Sequence, residues 1–406
     1  MTPKFRALCL VPVFVAALFL SGCGKHTCPT TSLGSSGSGG GKGGINTGGS
    51  LCGSGNLPGT AAALVYYNNV TNVAAGSISN AGSFSQILGP TFPSMASGAN
   101  DDVTIVNQEF LYYPFFDIQA VQGFVIDRNS GAVAEMAGSP FFLQSPAEAD
   151  AVVSDPQGRF LFVGGEGNGS LSVFTIDPTT GVPTEISGSP YTSFGLSFAD
   201  SMAVDGTGNF LYVAQGDPSL PVAVFSIDQN TGALSAAGQF ALGVAQLHAD
   251  ASGQFLLGVP QIQDLFGFAA ETSISVFSLD VTGTPTAVAG SPFPTVAAPF
   301  DFAISPNSNF VYTTGNDPLS GTLSPVEGFQ LDQNTGTLTP LSGSPFSSLA
   351  VTPNQCKFDQ SGEILLCTES TAGSFSVLTA NPTTGDLTHT GTDTVNLKTF
   401  PFAITD

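Results

Sequence analysis

The chain has 406 residues, of which 42% are hydrophobic and only 9% charged, with 49 glycines, 28 prolines and no tryptophan. Its formal net charge is −22, and all thirty acidic residues lie beyond residue 56, where they face only Arg128, Arg159, Lys357 and Lys398, a balance near −26. Such a surface repels nucleic acid and anionic headgroups, which excludes nucleic-acid binding as an expectation and favours solubility and cationic partners. A generic acidic secreted surface accounts for the same charge.

The chain opens with Lys4 and Arg6, an apolar stretch from Ala7 to Leu20, and the small-residue site Leu20-Ser-Gly-Cys23. This is the layout of a secretion signal, and its apolar part is short of the roughly twenty residues a membrane span needs. The segment resembles a bacterial lipoprotein signal, and the resemblance implies that residues 1–22 are removed and that Cys23 carries the lipid anchor. An ordinary cleaved signal with an incidental cysteine is the other reading. Gly24 follows Cys23 where many inner-membrane lipoproteins have aspartate, so the expected place is the bacterial cell envelope, periplasmic or surface-facing, with the outer membrane favoured. Contact with the membrane is expected through the lipid alone. Residues 23–57 are mostly Gly, Ser and Thr and read as a flexible tether, because they cannot bury enough surface to offset chain entropy. The run Gly37-Ser-Gly-Gly-Gly-Lys42 is no phosphate loop, since Ser36 stands where the first glycine is required and no Ser or Thr follows Lys42.

From residue 58 to 406 the chain is periodic. Gly82, Gly131, Gly181, Gly232, Gly283, Gly336 and Gly385 recur at intervals of 49, 50, 51, 51, 53 and 49 residues. Each closes a version of one phrase, clearest in Ser172-Val-Phe-Thr-Ile-Asp-Pro-Thr-Thr-Gly181 and Ala223-Val-Phe-Ser-Ile-Asp-Gln-Asn-Thr-Gly232. A period near fifty carried by β-branched and aromatic residues means a stack of similar sheets. Within one period, Asp150-Ala-Val-Val-Ser, Arg159-Phe-Leu-Phe-Val163, Leu171 to Ile176 and Thr184-Glu-Ile read as four short strands, separated by Asp155-Pro-Gln-Gly158, a Gly-rich loop and Asp177-Pro-Thr-Thr-Gly181. Four short antiparallel strands per repeat predict an all-β propeller blade. First-strand phrases occur six times, and a seventh, Pro401-Phe-Ala-Ile-Thr-Asp406, stands at the C-terminal end. Its missing partners are at Ala61-Ala-Ala-Leu-Val-Tyr-Tyr67. The C-terminal segment is therefore expected to join the N-terminal blade as its inner strand and close a seven-bladed ring with no free sheet edge.

Four cysteines besides Cys23 belong to an exported chain. Cys356 and Cys367 flank the turn Gln360-Ser-Gly-Glu363 nearly symmetrically, so a hairpin there would set them opposite each other as a disulfide. Cys28 and Cys52 would close a loop in the tether. Metal ligation is the weaker alternative, since no histidine accompanies either pair.

The repeated Asp-Pro-x-Gly-Arg-Phe-Leu-Phe-Val, followed by Ser-Val-Phe-x-Ile-Asp-x-x-Thr-Gly and Gly-Ser-Pro-Phe, resembles the lactonase-type seven-bladed propellers, relatives of bacterial 6-phosphogluconolactonase and of the propeller carboxymuconate cyclases. The resemblance covers nearly all of residues 60–406 and implies a lactone-opening activity. Enzymatic members commonly carry Arg-His or Pro-His at the start of the inner strand and a His-Pro before the following glycine. Here the first places hold Asp150-Ala151, Asp200-Ser201, Ala245-Gln246, Phe300-Asp301 and Asn354-Gln355, and the second hold Asp155-Pro156, Asp205-Gly206, Asp250-Ala251, Ser305-Pro306 and Asp359-Gln360. A phosphorylated substrate needs Arg or Lys for its dianion, and Arg128 and Arg159 are the only arginines beyond the tether. The residues thus oppose phosphogluconolactone as the substrate.

Near-equivalent inner-strand positions place Asp102, Asp150, Asp200 and Asp301 at one channel mouth, with Gln246 and Asn354 completing a polar ring. Three readings stay open. Asp150, Asp200 and Asp301 would suit Ca²⁺ or another hard cation, Asp200 would activate water as a base, or all would simply cap solvated strand ends. His248, the single histidine in an expected inner strand, is the best general base if it faces the channel and a hydrogen-bonded core residue if it does not. Tyr112, Tyr113, Tyr191 and Tyr212 are the available stacking surfaces in a chain without tryptophan. The folded part contains no nucleophile elbow, metalloprotease motif or dinucleotide fingerprint. The expected function is a lipid-anchored, monomeric binding module for a small molecule or an envelope protein, with lactone hydrolysis by activated water as the alternative.

Overall fold

The computed structural model describes residues 61–69, 72–93, 103–115, 118–144, 148–166, 168–260, 271–317, 322–323, 325–346, 349, 353–369, 373–395 and 397–405. These contain no α-helix. They form seven four-stranded antiparallel blades. Naming the strands of each blade from the inside outwards, blade 2 begins with Thr104–Val106, blade 3 with Glu148–Ser154, blade 4 with Ser201–Val204, blade 5 with Gln246–Ala249, blade 6 with Asp301–Ile304 and blade 7 with Pro353–Phe358. Blade 1 is closed as the sequence predicts. Its inner strand is Leu397–Ile404, which pairs Val65 with Ile404, Tyr66 with Ala403 and Tyr67 with Phe402 on the second strand Ala61–Asn69. That strand starts four residues earlier than the repeat phrase indicates.

Apolar side chains of the alternating strands collect between blades. Each of the seven clusters of buried residues draws on two adjoining blades, such as Phe255, Leu257 and Val276 of blade 5 with Phe302, Val311 and Phe329 of blade 6, or Leu247 and Leu256 of blade 5 with Tyr212 and Val224 of blade 4. A blade cannot bury either face alone, so the ring is cooperative by construction.

The periodic glycine is the docking point of this arrangement. It ends the turn between third and outer strand with positive φ, and a Cβ there would strike the preceding blade: Phe160 for Gly232, Phe210 for Gly283, Phe255 for Gly336 and Phe310 for Gly385. The same turn is tied by a phenol. Tyr66, Tyr112, Tyr212 and Tyr312 donate to the carbonyls of Gly131, Gly181, Gly283 and Gly385 in the following blade, at 3.2, 2.5, 3.0 and 2.7 Å. Burial lifts the hydroxyls of all four above the ordinary tyrosine range, so they stay protonated donors at any physiological pH. Tyr112 and Tyr212 are therefore interblade ties, buried with Tyr113, and none of these three serves as a stacking surface. Tyr191 stacks on Phe194 at 5.1 Å and its hydroxyl accepts the Leu234 N–H at 3.0 Å, so it too is engaged.

The Gly-Ser-Pro phrase seals the outer edge. In blades 2, 3, 5 and 6 the Ser–Pro bond is cis, and the serine hydroxyls of Ser139, Ser189, Ser291 and Ser344 accept third-strand N–H groups of Gly123, Val173, Val276 and Gly328 at 3.0–3.1 Å. Outer strands in those blades are only three residues long, so the serine satisfies a donor that the short strand leaves behind. Blades 1, 4 and 7 lack the phrase and have outer strands of 10, 7 and 8 residues.

Cys356 and Cys367 are register partners in blade 7 and are disulfide-bonded, with Cα atoms 4.1 Å apart. Both are buried in the cluster between blades 6 and 7. Cys23, Cys28 and Cys52 lie outside the described residues.

Two measurements check this account. Gly283→Ala is expected to destabilise by roughly 2–4 kcal/mol, combining left-handed strain with overpacking against Phe210, whereas Gly243→Ala should lose only about 1–2 kcal/mol, because Gly243 has positive φ but nothing within 4 Å. Denaturant unfolding of the two variants separates docking from turn strain. Cys356→Ser with Cys367→Ser should cost about 2–3 kcal/mol, the loop-entropy value for a short closed loop, read by the same unfolding curves against the oxidised parent.

Candidate functional site

The two ends of the channel are built differently. At one end lie the turns between inner and second strands, where Asp155, Asp205, Asp250 and Asp359 are buried. Each points a carboxylate oxygen back into its own turn, accepting the N–H groups of Arg159 and Phe160, of Asn209 and Phe210, of Gln254 and Phe255, and of Ile364. Ser305 takes this part in blade 6, accepting from Phe310 at 2.9 Å. These positions, where enzymatic relatives carry His-Pro, are turn acceptors here. Adjacent turns also touch: a Cβ on Gly158 would meet Asn107 at 2.6 Å, one on Gly208 would meet Gln157 at 2.7 Å, one on Gly362 would meet Pro306 at 3.2 Å, and Gln108 hydrogen-bonds Gln360. The turns crowd this end, and the opposite mouth is left for access.

At that mouth the inner strands begin. At the seam between blades 5 and 6 the buried apolar cluster lies below, and polar side chains meet at the mouth. Gln246 and His248 project from the same face of one inner strand, two residues apart, and both reach Asp301 at the start of the next. Gln246 Nε2 donates to Asp301 Oδ1 at 2.9 Å, and His248 Nε2 lies 3.4 Å from the same oxygen. Asp301 is buried, whereas the His248 side chain is 40% exposed. Phe302 supports the imidazole edge-on, with ring centroids 4.7 Å apart. An Oδ1 acceptor selects the Nε2–H tautomer and leaves Nδ1 with a free lone pair, the arrangement of an oriented base.

Thr314 extends the seat into blade 7, its hydroxyl lying 3.2 Å from the Asp301 carbonyl and 2.6 Å from that of Asn354. Sequence reasoning named Asp301, Gln246, His248 and Asn354 and missed Thr314. The other positions of the expected ring are not brought to the seat. Asp150 is buried on its own strand, Asp200 is half-buried with its N–H donated to Ala214, and Asp102 lies outside the described residues. Among the described residues no three His, Cys, Asp or Glu side chains are grouped so as to hold a metal ion. Asp150, Asp200 and Asp301 belong to blades 3, 4 and 6 respectively.

Neither arginine reaches the mouth. Arg159 is held at the opposite end by Asp155 at 2.8 Å and by Gln229 at 2.9–3.0 Å, and Arg128 is exposed in an outer turn.

Residues 119–245 match the family described as lactonase, 7-bladed beta-propeller. The chain is a seven-bladed propeller, and this part of it is similar to that family. No curated protein matches the sequence. The fold is shared with a protein from Bacteroides uniformis assigned as a 6-phosphogluconolactonase, at 15% identity and a TM-score of 0.63 over 84% of this chain and 98% of that one. It is shared equally with the periplasmic gluconolactonase of Pseudomonas aeruginosa, at 14% identity and a TM-score of 0.60 over 84% and 98%. At such identities the likeness is one of fold.

Much of the acidity of this propeller is architectural. Besides the buried turn carboxylates, Asp177, Asp228, Asp280 and Asp332 sit in the turns that end at the periodic glycine. Their carboxyls are held below the usual aspartate range, chiefly by the N–H of Thr180, the N–H of Asn230, the hydroxyl of Thr282 and the N–H of Asn334 respectively. A depressed folded pKa contributes stability that is present above the unfolded pKa near 4 and is lost as pH falls through the folded value. The melting temperature is thus expected to fall with acidification below about pH 4. Replacing all four by Asn, the residue that blade 7 uses at Asn381 with the same two N–H donors, should flatten that limb in a pH-resolved melting series.

Proposed function

We propose that this propeller binds a small uncharged ligand of the lactone class at the mouth between blades 5 and 6. The observation that carries the reading is the buried Asp301 carboxylate held by Gln246 beside a half-exposed imidazole. It offers an oriented acceptor and an oriented base where two inner strands meet through side chains at the channel mouth. The absence of any described Arg or Lys at the seat argues for a neutral ligand over a phosphorylated one. The names of the Bacteroides and Pseudomonas proteins support a lactone as the class.

The His248–Asp301 pair also favours a second reading, in which the bound lactone is hydrolysed. His248 Nδ1 takes a proton from water as its oxygen attacks the lactone carbonyl. The tetrahedral oxyanion collapses, the ring C–O bond breaks, and the imidazolium returns its proton to the departing alkoxide, giving a hydroxy acid. Asp301 steadies the imidazolium. The product is a carboxylate in an acidic mouth, and mutual repulsion speeds its release. Anchoring through Cys23 and a place in the cell envelope complete the proposal, with an envelope protein as the partner if no small molecule binds.

Calorimetric titration with glucono-δ-lactone, its 6-phosphate and an aldonate, alongside proton release, tests both readings. Neutral lactone is expected to bind in preference to its phosphate, and Asp301→Asn to weaken it about tenfold, the loss of roughly one charge-assisted hydrogen bond. Turnover above the spontaneous rate that drops 10²–10⁴-fold in His248→Gln, the usual share of a general base, would make the protein a hydrolase. A folded protein that neither binds nor opens any of these lactones contradicts the proposal.

A further inference from the structure

The linker from blade 5 into blade 6, Thr295 to Phe300, delivers Asp301 to the seat. It is held by a residue that the repeat does not lead one to expect. Glu327 opens the third strand of blade 6, at the place occupied by Ser172, Ala223, Ser275 and Ser376 in blades 3, 4, 5 and 7. It is 5% exposed, and its carboxylate accepts the Val296 N–H on both oxygens at 2.9 Å and the Ala297 N–H at 3.1 Å. Burying a carboxylate is costly unless it is hydrogen-bonded. Burial pushes this one upward and the two N–H groups pull it back down, so the site trades desolvation against a two-point grip on the linker. The segment is gripped again four residues on, where the Phe300 N–H donates to the Thr314 carbonyl at 2.7 Å. Thr314 is also the residue whose hydroxyl reaches the Asp301 carbonyl. Blade 4 grips its own incoming linker with a neutral amide, Gln215 accepting the Ser197 N–H at 2.7 Å. Blade 6 uses a full charge for the same task at the seam that carries the imidazole.

We propose that Glu327 is a positioning residue, a buried latch that fixes the blade 5–6 linker and thereby sets Asp301 against Gln246 and His248. The role in ligand binding rests on the function proposed above, whereas the latch itself does not. Residues 295–301 have no other strand partner along most of their length, so the Glu327 carboxylate is their main polar tether between Thr295 and Phe300. The carboxylate is what makes that linker rigid, so its removal should loosen Asp301 while leaving the interblade core in place.

Hydrogen–deuterium exchange of the full chain, with Glu327→Ala and the gentler Glu327→Gln, decides the matter. Exchange at Val296 and Ala297 is expected to rise at least tenfold in the alanine variant and less in the glutamine variant, which keeps one acceptor oxygen. The His248 ring resonance should shift, and affinity for glucono-δ-lactone should fall several-fold, with the melting temperature of the glutamine variant unchanged or raised. Unaltered exchange at 296 and 297, or a rise spread evenly over the blades, overturns the latch. If the parent protein binds no lactone, the function fails while the exchange and the His248 resonance still judge the latch. Faster exchange with an unmoved His248 resonance and unchanged affinity would overturn the positioning role.

Discussion

Everything in this molecule depends on one contact made repeatedly, a turn glycine of one blade pressed against an aromatic or aliphatic residue of the blade before it. The contact joins local and global structure. Left-handed geometry ends the third strand at the right place, and the missing side chain lets the neighbouring sheet come within van der Waals reach. Where a tyrosine also donates to the glycine carbonyl, as from Tyr212 to Gly283, the same spot satisfies a buried acceptor. Blades that cannot bury themselves are thereby assembled in register, and the interior becomes seven shared layers instead of one core.

That regular frame gives the irregular seam its meaning. Turn carboxylates such as Asp155 and Asp250 satisfy backbone donors at the crowded end of the channel, and the serines of the Gly-Ser-Pro phrases do so at the rim. With those polar groups assigned, the meeting of Gln246, His248 and Asp301 stands out as polar chemistry that closes no turn and caps no edge. The charge of Glu327 behind it has the same character. It occupies a position that holds Ser or Ala in blades 3, 4, 5 and 7 and Gln122 in blade 2, and it grips the backbone leading to the seat.

The period of the glycines and the alternation of each phrase were enough to read the blade count, the closure by residues near 401 and the pairing of Cys356 with Cys367, because all three follow from spacing along one chain. The seat was legible only as separate residues. Gln246 and Asp301 come from strands of different blades, and how those strands meet depends on packing that no periodicity encodes. The Ca²⁺ ring rests on the same kind of step: equivalent positions in sequence share a place in each blade, and their convergence is a matter of blade packing. Tyr112, Tyr113 and Tyr212 looked like stacking surfaces because a tyrosine's amphipathic ring fits both roles, and only burial tells them apart. Glu327 had a readable signal, a charge aligned with Ser172, Ala223, Ser275 and Ser376, but its meaning required the linker that folds back over it.

The seam between blades 5 and 6, where side chains of two inner strands meet on Asp301, bears on how the ring behaves as a mechanical object. A closed ring cannot open at one joint without bending the others, so every seam shares in its thermal flexing. A molecule bridging Asp301 and His248 would act there as a rivet. Occupancy at one small seat would then stiffen the whole circle, and a partner touching a distant blade would sense whether the seat is filled through the ring's altered compliance.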